Sequence, residues 1–153
     1  MAPEAALVVT ASVVALAVLL GAAHRLRDGR VRRAGRERIS PADLPGGPAL
    51  GEQATLLQFS TELCSPCRAA ARVLGSAAAA TPGVAHLDID LTDDPDTARR
   101  FGILRTPTTL VLDRHGAVRG RIGGAPRPEE LRGFLAESLG LVVPAQEALH
   151  VRS

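Results

Sequence analysis

The sequence predicts an α/β domain preceded by a transmembrane helix, and three observations support this prediction. Strand-like and helix-like segments alternate over residues 52–139. The only two cysteines, Cys64 and Cys67, lie where the first predicted strand passes into the first predicted helix. Ahead of the domain, Ala5 to Ala23 is a stretch of 19 residues without a charged side chain. We therefore expect an anchor over residues 1–23, a linker over 24–51, the domain over 52–139 and a tail over 140–153.

Four segments of the domain have the composition of β-strands. The first is an apolar run typical of a buried strand, and the second alternates apolar and polar residues. The last two flank a turn at residues 113–116 and are expected to form a hairpin. In chain order the predicted strands are Thr55–Phe59, Val84–Asp90, Thr108–Leu112 and Ala117–Ile122.

Three segments have the pattern of helices. An alanine-rich stretch, Ala69–Ala80, follows the cysteines. Residues 92–101 predict a short helix with Thr92 as its cap and an acid-rich first turn. Pro128–Leu139 is amphipathic and ends the domain, and the tail beyond it is expected to be loosely held.

The two cysteines are separated by Ser65 and Pro66, and this spacing between a strand and a helix indicates redox chemistry. A helix that begins at Cys64 brings the two sulfurs one turn apart, so that they can close a small disulfide. Its unpaired backbone N–H groups and its dipole stabilise a Cys64 thiolate. Pro66 suits the first helical turn, where a missing N–H costs nothing.

Zinc binding and inert packing are the alternatives to a reversible dithiol. Zinc usually takes four nitrogen or sulfur ligands, and the histidines are scattered without ligand spacing. They are His24, His86, His115 and His150. The reversible dithiol is therefore the interpretation we adopt for Cys64 and Cys67.

The composition excludes two classes of chemistry. All 18 basic residues are arginine, so neither a Schiff-base lysine nor a phosphate-loop lysine is present. The net charge of +2 is uneven, because residues 24–40 hold seven arginines against two acids. Residues 41–153 hold eleven arginines and thirteen acids, which gives no support for nucleic-acid binding by the domain.

The uncharged stretch from Ala5 to Ala23 is interpreted as a membrane anchor. As a helix it would be about 28 Å long, close to the roughly 30 Å of a bilayer core. A signal peptide would need a positive n-region, which residues 1–4 do not supply, and a buried helix of this length would need a larger domain. The arginines after it place the domain in the cytoplasm by the positive-inside rule, with an extracytoplasmic domain as the alternative. The same arginines would attract anionic headgroups.

Two motifs about forty residues apart give the chain a resemblance to a known family. The first is Phe59 through Cys67, and the second is Phe101-Gly102-Ile103-Leu104-Arg105-Thr106-Pro107-Thr108, followed by Gly123-Gly124. In this order they resemble the thioredoxin family over residues 52–139. The resemblance implies a thioredoxin-like fold, a central mixed β-sheet flanked by helices. It also implies a cis Thr106–Pro107 bond, with an ordinary trans loop proline as the alternative.

The resemblance further implies a dithiol–disulfide oxidoreductase. Cys64 would attack a partner disulfide, and the more buried Cys67 would then release the reduced partner. Thr106 would pair its backbone with the substrate chain beside Pro107, which would shield the sulfurs. The implied partners are protein thiols or disulfides and an electron donor that the sequence does not identify. No metal, nucleotide or organic cofactor is implied.

Four positions depart from the usual pattern of that family. Leu63 stands in place of a tryptophan before the first cysteine, and Arg72 in place of a helix proline. Gln58 stands where a buried aspartate is common, and His86 where a lysine often accompanies it. Gln58 is interpreted as an amide bonded to the backbone at the edge of the core. His86 is either a strand histidine facing solvent or a proton relay.

The function expected from the sequence is that of a membrane-tethered thiol–disulfide oxidoreductase, acting as a reductant through a monomeric domain. Tethering raises the local concentration of membrane-associated substrates, which fits a site altered away from broad use. The alternative is a redox-sensing or partner-binding module in which the Cys64–Cys67 bond controls docking with little turnover. A thiol peroxidase is disfavoured, because no arginine and threonine peroxide site can be placed around Cys64.

Overall fold

The computed structural model describes residues 3–27, 29–34 and 37–144, with the side chains of residues 3–6 and 24–27 left undescribed. Most of the predicted tail, including His150, lies outside these residues. The elements in chain order are α1 (Pro3–Arg27), β1 (Val31–Arg33), a 3-10 helix (Pro41–Asp43), β2 (Ala54–Ser60), α2 (Ser65–Ala80), β3 (Val84–Asp90), α3 (Pro95–Arg100), β4 (Thr108–Asp113), β5 (Val118–Gly123) and α4 (Pro128–Leu139).

Five strands form one sheet in the order β1-β5-β4-β2-β3. Strands β2 and β3 pair in parallel, whereas β2 with β4, β4 with β5 and β5 with β1 pair antiparallel. Their alternation with the helices confirms the α/β prediction, and the mixed sheet is the one that the family resemblance implied. The predicted strands and the helix over residues 128–139 are found within a residue or two of their expected bounds.

Successive residues of the strands point to opposite faces of the sheet and build two apolar clusters. On one face, Leu56, Val111 and Ile122 pack with residues of α2 and α4. On the other face, Leu57 and Phe59 pack with Phe101 and with residues of the chain before β2. The central strands β2 and β4 are therefore buried on both faces, and β2 leads from this core to the cysteines.

Helix α3 begins later than the sequence analysis predicted. The carboxylate of Asp94, not the side chain of Thr92, caps it, accepting the N–H of Thr97 at 2.9 Å. Aspartate is among the strongest N-cap residues, and Pro95 suits the first helical position. The Thr92 hydroxyl instead donates to Asp90, at 2.6 Å, in the turn after β3. The predicted Thr92 cap is thus wrong.

The segment treated as a linker in the sequence analysis contributes to the domain. We call residues 29–34 and 37–44 the edge arm. Its backbone pairs with β5 and the turn before it, as Ala34 N–H donates to Arg119 at 3.1 Å and Ile39 N–H to Gly116 at 2.8 Å. The side chains of Ile39 and Leu44 are 2% and 5% exposed and belong to the core. Because apolar residues are sparse among the arginines of this segment, its sequence shows no strand periodicity. Only the packing identifies Ile39 and Leu44 as core residues.

Helix α1 carries apolar side chains that are exposed along Leu7 to Ala23. Among the residues that the structure describes, no helix combines the length and the apolarity that crossing a membrane would need. The transmembrane span predicted over Ala5 to Ala23 is therefore not supported.

Candidate active site

The two cysteines lie at the start of α2, as the sequence analysis predicted. Cys64 is the N-cap of the helix, and a disulfide joins it to Cys67 with a Cα–Cα distance of 5.2 Å. The N–H of Cys67 donates to both the sulfur and the carbonyl of Cys64, each at 3.1 Å, so a backbone donor of the first turn points at the Cys64 sulfur. Pro66 lies in that turn without loss of a hydrogen bond.

The two sulfurs differ in how far a partner can approach them. The side chain of Cys67 is only 4% exposed, whereas Cys64 is partly exposed at the tip of the site. The neighbouring Ser65 and Pro66 are exposed, and the Ser65 hydroxyl accepts a hydrogen bond from Arg68 at 3.0 Å. An incoming thiol or disulfide therefore meets Cys64 first.

A second loop lies beside the cysteines. The Thr106–Pro107 bond is cis, as the resemblance implied, and Pro107 is buried. The hydroxyl of Thr106 lies 3.2 Å from the hydroxyl of Thr61, and the carbonyl of Thr61 accepts the N–H of Cys64 at 3.2 Å. Thr61 thus connects the proline loop to the cysteine loop. Thr61 falls within the first motif, but nothing in the sequence pattern distinguishes it there as a contact to the proline loop.

Two large apolar side chains stand in solvent on these loops. Leu63, directly before Cys64, is 95% exposed, and Leu104, two residues before Thr106, is 98% exposed. Leu63 was identified from the sequence as standing where an aromatic residue is usual, whereas Leu104 was assigned no role in the site. Exposed leucines on both loops give the rim of the site an apolar character suited to contact with a protein partner.

Beneath the disulfide lies a polar contact between β2, β3 and α2. Gln58 is fully buried, and its amide nitrogen donates to the carbonyl of Cys67 at 3.1 Å. Its amide oxygen lies 3.1 Å from Nε2 of His86, which must therefore carry the proton. The interpretation of Gln58 as an amide bonded to the backbone is confirmed.

The position of His86 differs from a histidine that simply faces solvent. Its ring is part-buried on the face of the sheet that α2 covers, with Nδ1 next to Gly75 of that helix. Burial lowers the pKa of His86 below 6.5, and the nearby carboxylate of Asp88 partly offsets this effect. A neutral imidazole is the form that this environment favours near neutral pH.

The other histidine whose side chain the structure describes lies away from the site. His115 is in the turn between β4 and β5, where its Nε2 accepts a hydrogen bond from Arg114 at 3.0 Å. Within the described part of the chain, no three histidine, cysteine, aspartate or glutamate side chains are grouped as metal ligands would be.

Comparison with known proteins matches this geometry to one family. The thioredoxin family model matches residues 49–137. Thioredoxin of Alicyclobacillus acidocaldarius subsp. acidocaldarius is 35% identical over 92 residues, covering 58% of this chain and 85% of that protein. Thioredoxin of Mycolicibacterium smegmatis is 36% identical over 87 residues, covering 55% and 77%. A mutant thioredoxin from Halobacterium salinarum NRC-1, at 22% identity, shares the fold with a TM-score of 0.51 over 61% of this chain and 80% of its own.

The family model covers the segment that contains the disulfide, the cis-proline loop and strands β2 to β5. The chain belongs to the thioredoxin family and is a thiol–disulfide oxidoreductase.

Proposed function

We propose that this protein reduces disulfides in protein partners, with Cys64 as the attacking and Cys67 as the resolving residue. The observation that carries this assignment is the difference in burial between the partly exposed Cys64 and the 4% exposed Cys67. Only an exposed thiolate can approach a disulfide that is itself embedded in a protein. The exposed Leu63 and Leu104 support a macromolecular partner, because they offer apolar contact on both sides of the site.

The exchange transfers two electrons in two steps. The Cys64 thiolate forms a bond with one partner sulfur and breaks the partner's disulfide, whose other sulfur leaves as a thiolate. The Cys67 thiolate then attacks Cys64, closing the Cys64–Cys67 disulfide and releasing the second partner thiolate. A dithiol donor must afterwards reduce the Cys64–Cys67 bond. The backbone of Thr106, beside Pro107, is the proposed pairing site for the substrate chain.

We also propose that α1 attaches the protein to a membrane, with the domain on the cytoplasmic side. The exposed apolar side chains from Leu7 to Ala23 support attachment, because contact with lipid removes their apolar surface from water. The seven arginines of residues 24–40 support the cytoplasmic side, where they meet anionic lipid. A reducing compartment also favours the reductant role.

The reductant role is tested by the redox potential of the Cys64–Cys67 couple in a glutathione series, measured on the full chain. A potential of about −270 mV or lower is expected for a reductant. A value near about −120 mV would make the protein an oxidant and contradict the proposal. In parallel, Cys67→Ser should accumulate a mixed disulfide with a protein substrate, whereas Cys64→Ser should accumulate none.

A redox-controlled docking module remains the second candidate function. It is favoured by Gln58, because an amide beneath Cys67 accepts no proton from the resolving thiol. Multiple turnovers of a protein disulfide, with a chemical dithiol as the donor, would exclude this candidate. A single turnover followed by stable, redox-dependent partner binding would support it.

A further inference from the structure

The edge arm begins at the same end of the sheet as the disulfide. Strand β2 finishes at this end of the sheet, and β4 starts there because it is antiparallel to β2. Strand β5 in turn ends there with Gly123, and the arm, antiparallel to β5, starts there. The backbone that leaves α1 therefore enters the domain at the active-site end of the sheet and not at the opposite end.

A row of backbone contacts fixes this position. Gly29 N–H donates to the Gly123 carbonyl at 2.7 Å, and Gly124 N–H donates to the carbonyl of Pro107 at 2.8 Å. In the sheet register Gly123 lies opposite Thr108, which lies opposite Phe59 of β2. Gly29 is therefore three strand spacings, about 15 Å, from the end of the strand that leads to the cysteines.

The connection between α1 and this row is very short. Helix α1 ends at Arg27, and Gly29 already pairs with Gly123. A flexible linker of many residues would let the domain move far from its point of attachment, whereas a connection of one residue does not. Whatever binds α1 is thus held close to the active-site end of the sheet.

The surface that fits α1 and its flank is an anionic lipid bilayer. Side chains from Leu7 to Ala23 are exposed, and the large ones are Leu and Val. Arg32 and Arg33 of the arm are exposed as well, and residues 24–40 carry seven arginines against two acids. Apolar surface followed directly by excess positive charge matches the acyl chains and phosphate headgroups of such a bilayer.

We propose that the edge arm keeps the active-site end of the sheet, with the Cys64–Cys67 disulfide, close to the lipid surface, so that the preferred substrates are protein disulfides near the headgroups. This inference rests on the proposed function and on membrane attachment through α1. It adds a substrate class, because it selects disulfides in the juxtamembrane segments of membrane proteins over those of freely diffusing proteins.

The test uses the full chain, vesicles of phosphatidylserine and phosphatidylcholine, and a disulfide-containing peptide anchored to the same vesicles. The peptide carries its disulfide either about 3 or about 40 residues from the lipid anchor, which sets its distance from the surface. A flexible Gly/Ser segment of about 20 residues is inserted after Arg27 in one variant. The matched control carries the same insertion between Gly46 and Gly47, in a turn behind the arm where a Cβ added at either glycine would meet no atom closer than 3.9 Å.

The parent chain and the Gly46 control are expected to reduce the short-spacer peptide at least about tenfold faster than the Arg27 insertion variant. All three should reduce the same peptide at equal rates without an anchor, in solution. Equal rates for the Arg27 variant and the parent on the short-spacer peptide would overturn the inference. So would failure of the parent to co-sediment with the vesicles, which would point to a protein partner for α1. Failure of all three to reduce the soluble peptide would instead refute the proposed function.

Discussion

Gln58 connects Cys67 to the sheet, because its amide nitrogen donates to the main-chain carbonyl of Cys67 at 3.1 Å. The amide oxygen of Gln58 accepts a hydrogen bond from Nε2–H of His86, also at 3.1 Å. The first turn of α2 is thereby attached to both β2 and β3. An amide at this point fixes the position of Cys67 without taking up its proton.

Replacement of Gln58 tests this connection. Gln58→Leu should lower the free energy of unfolding by about 1–3 kcal/mol, because the N–H of His86 loses its acceptor in a part-buried site. Urea unfolding of the oxidised protein measures the change. Gln53→Leu is the matched control, since Gln53 is exposed and its change should leave the midpoint within error. Equal stability of Gln58→Leu and the parent would show that the amide bonds contribute nothing.

His86 should make the stability of the protein depend on pH. Burial lowers the pKa of His86 below its ordinary 6.5, so below that pH the unfolded chain binds the proton more readily than the folded one. Stability should therefore be greatest above about pH 6.5 and decline as the pH falls towards 5. His86→Gln, which keeps a donor for Gln58, should flatten this decline in urea midpoints. His115→Gln, in an exposed turn, should keep the parent's slope, and an unchanged slope in His86→Gln would contradict the assignment.

The edge arm should behave as part of the core. Ile39→Ala should cost about 2–5 kcal/mol of unfolding free energy, because the side chain is 2% exposed among core residues. Arg32→Ala, on the exposed side of the arm, should change stability by no more than about 0.5 kcal/mol. If the two substitutions had equally small effects in urea unfolding, the arm would be a detachable linker after all.

Leu63 should contribute to the binding of protein substrates and not to the chemical step. Leu63→Ser should raise KM for a protein disulfide by about three- to tenfold, since apolar contact area at the rim is lost. The rate with a small disulfide such as oxidised glutathione should stay unchanged. Val142→Ser controls for loss of exposed apolar surface elsewhere, since Val142 is 83% exposed and follows α4. An equal loss with both substrates would place Leu63 in the reaction itself.

Gly120 should tolerate no side chain. A Cβ there would lie 2.6 Å from the ring of Phe134, which packs α4 on the sheet. Gly120→Ala should therefore cost about 1–3 kcal/mol by overpacking. Gly133→Ala makes the same change on the exposed side of α4, where nothing lies within 4 Å, and should instead stabilise the helix by about 0.5–1 kcal/mol. Thermal unfolding of both variants, with opposite shifts in Tm, is the measurement, and equal shifts would refute the packing argument.

The sequence by itself determined the parts of this protein that depend on neighbouring residues. The spacing of Cys64 and Cys67 before an alanine-rich stretch predicted the disulfide and its helix, because a helix start and its orphan N–H groups are local features. The Thr106–Pro107 motif predicted the cis bond through its family resemblance. Strands β2 to β5 were found because alternation and β-branched composition are read within six or seven residues.

Only the tertiary structure decided which distant groups meet. Thr61 and Thr106 lie 45 positions apart, and Gln58 and His86 lie 28 apart, so no local pattern pairs their side chains. The edge arm depends on β5, almost ninety residues further along, for its partners, and its arginine-rich composition conceals Ile39. Burial and backbone pairing across the sheet exist only once the chain has closed these long loops. That closure is also what brings the start of the edge arm to the same end of the sheet as the disulfide.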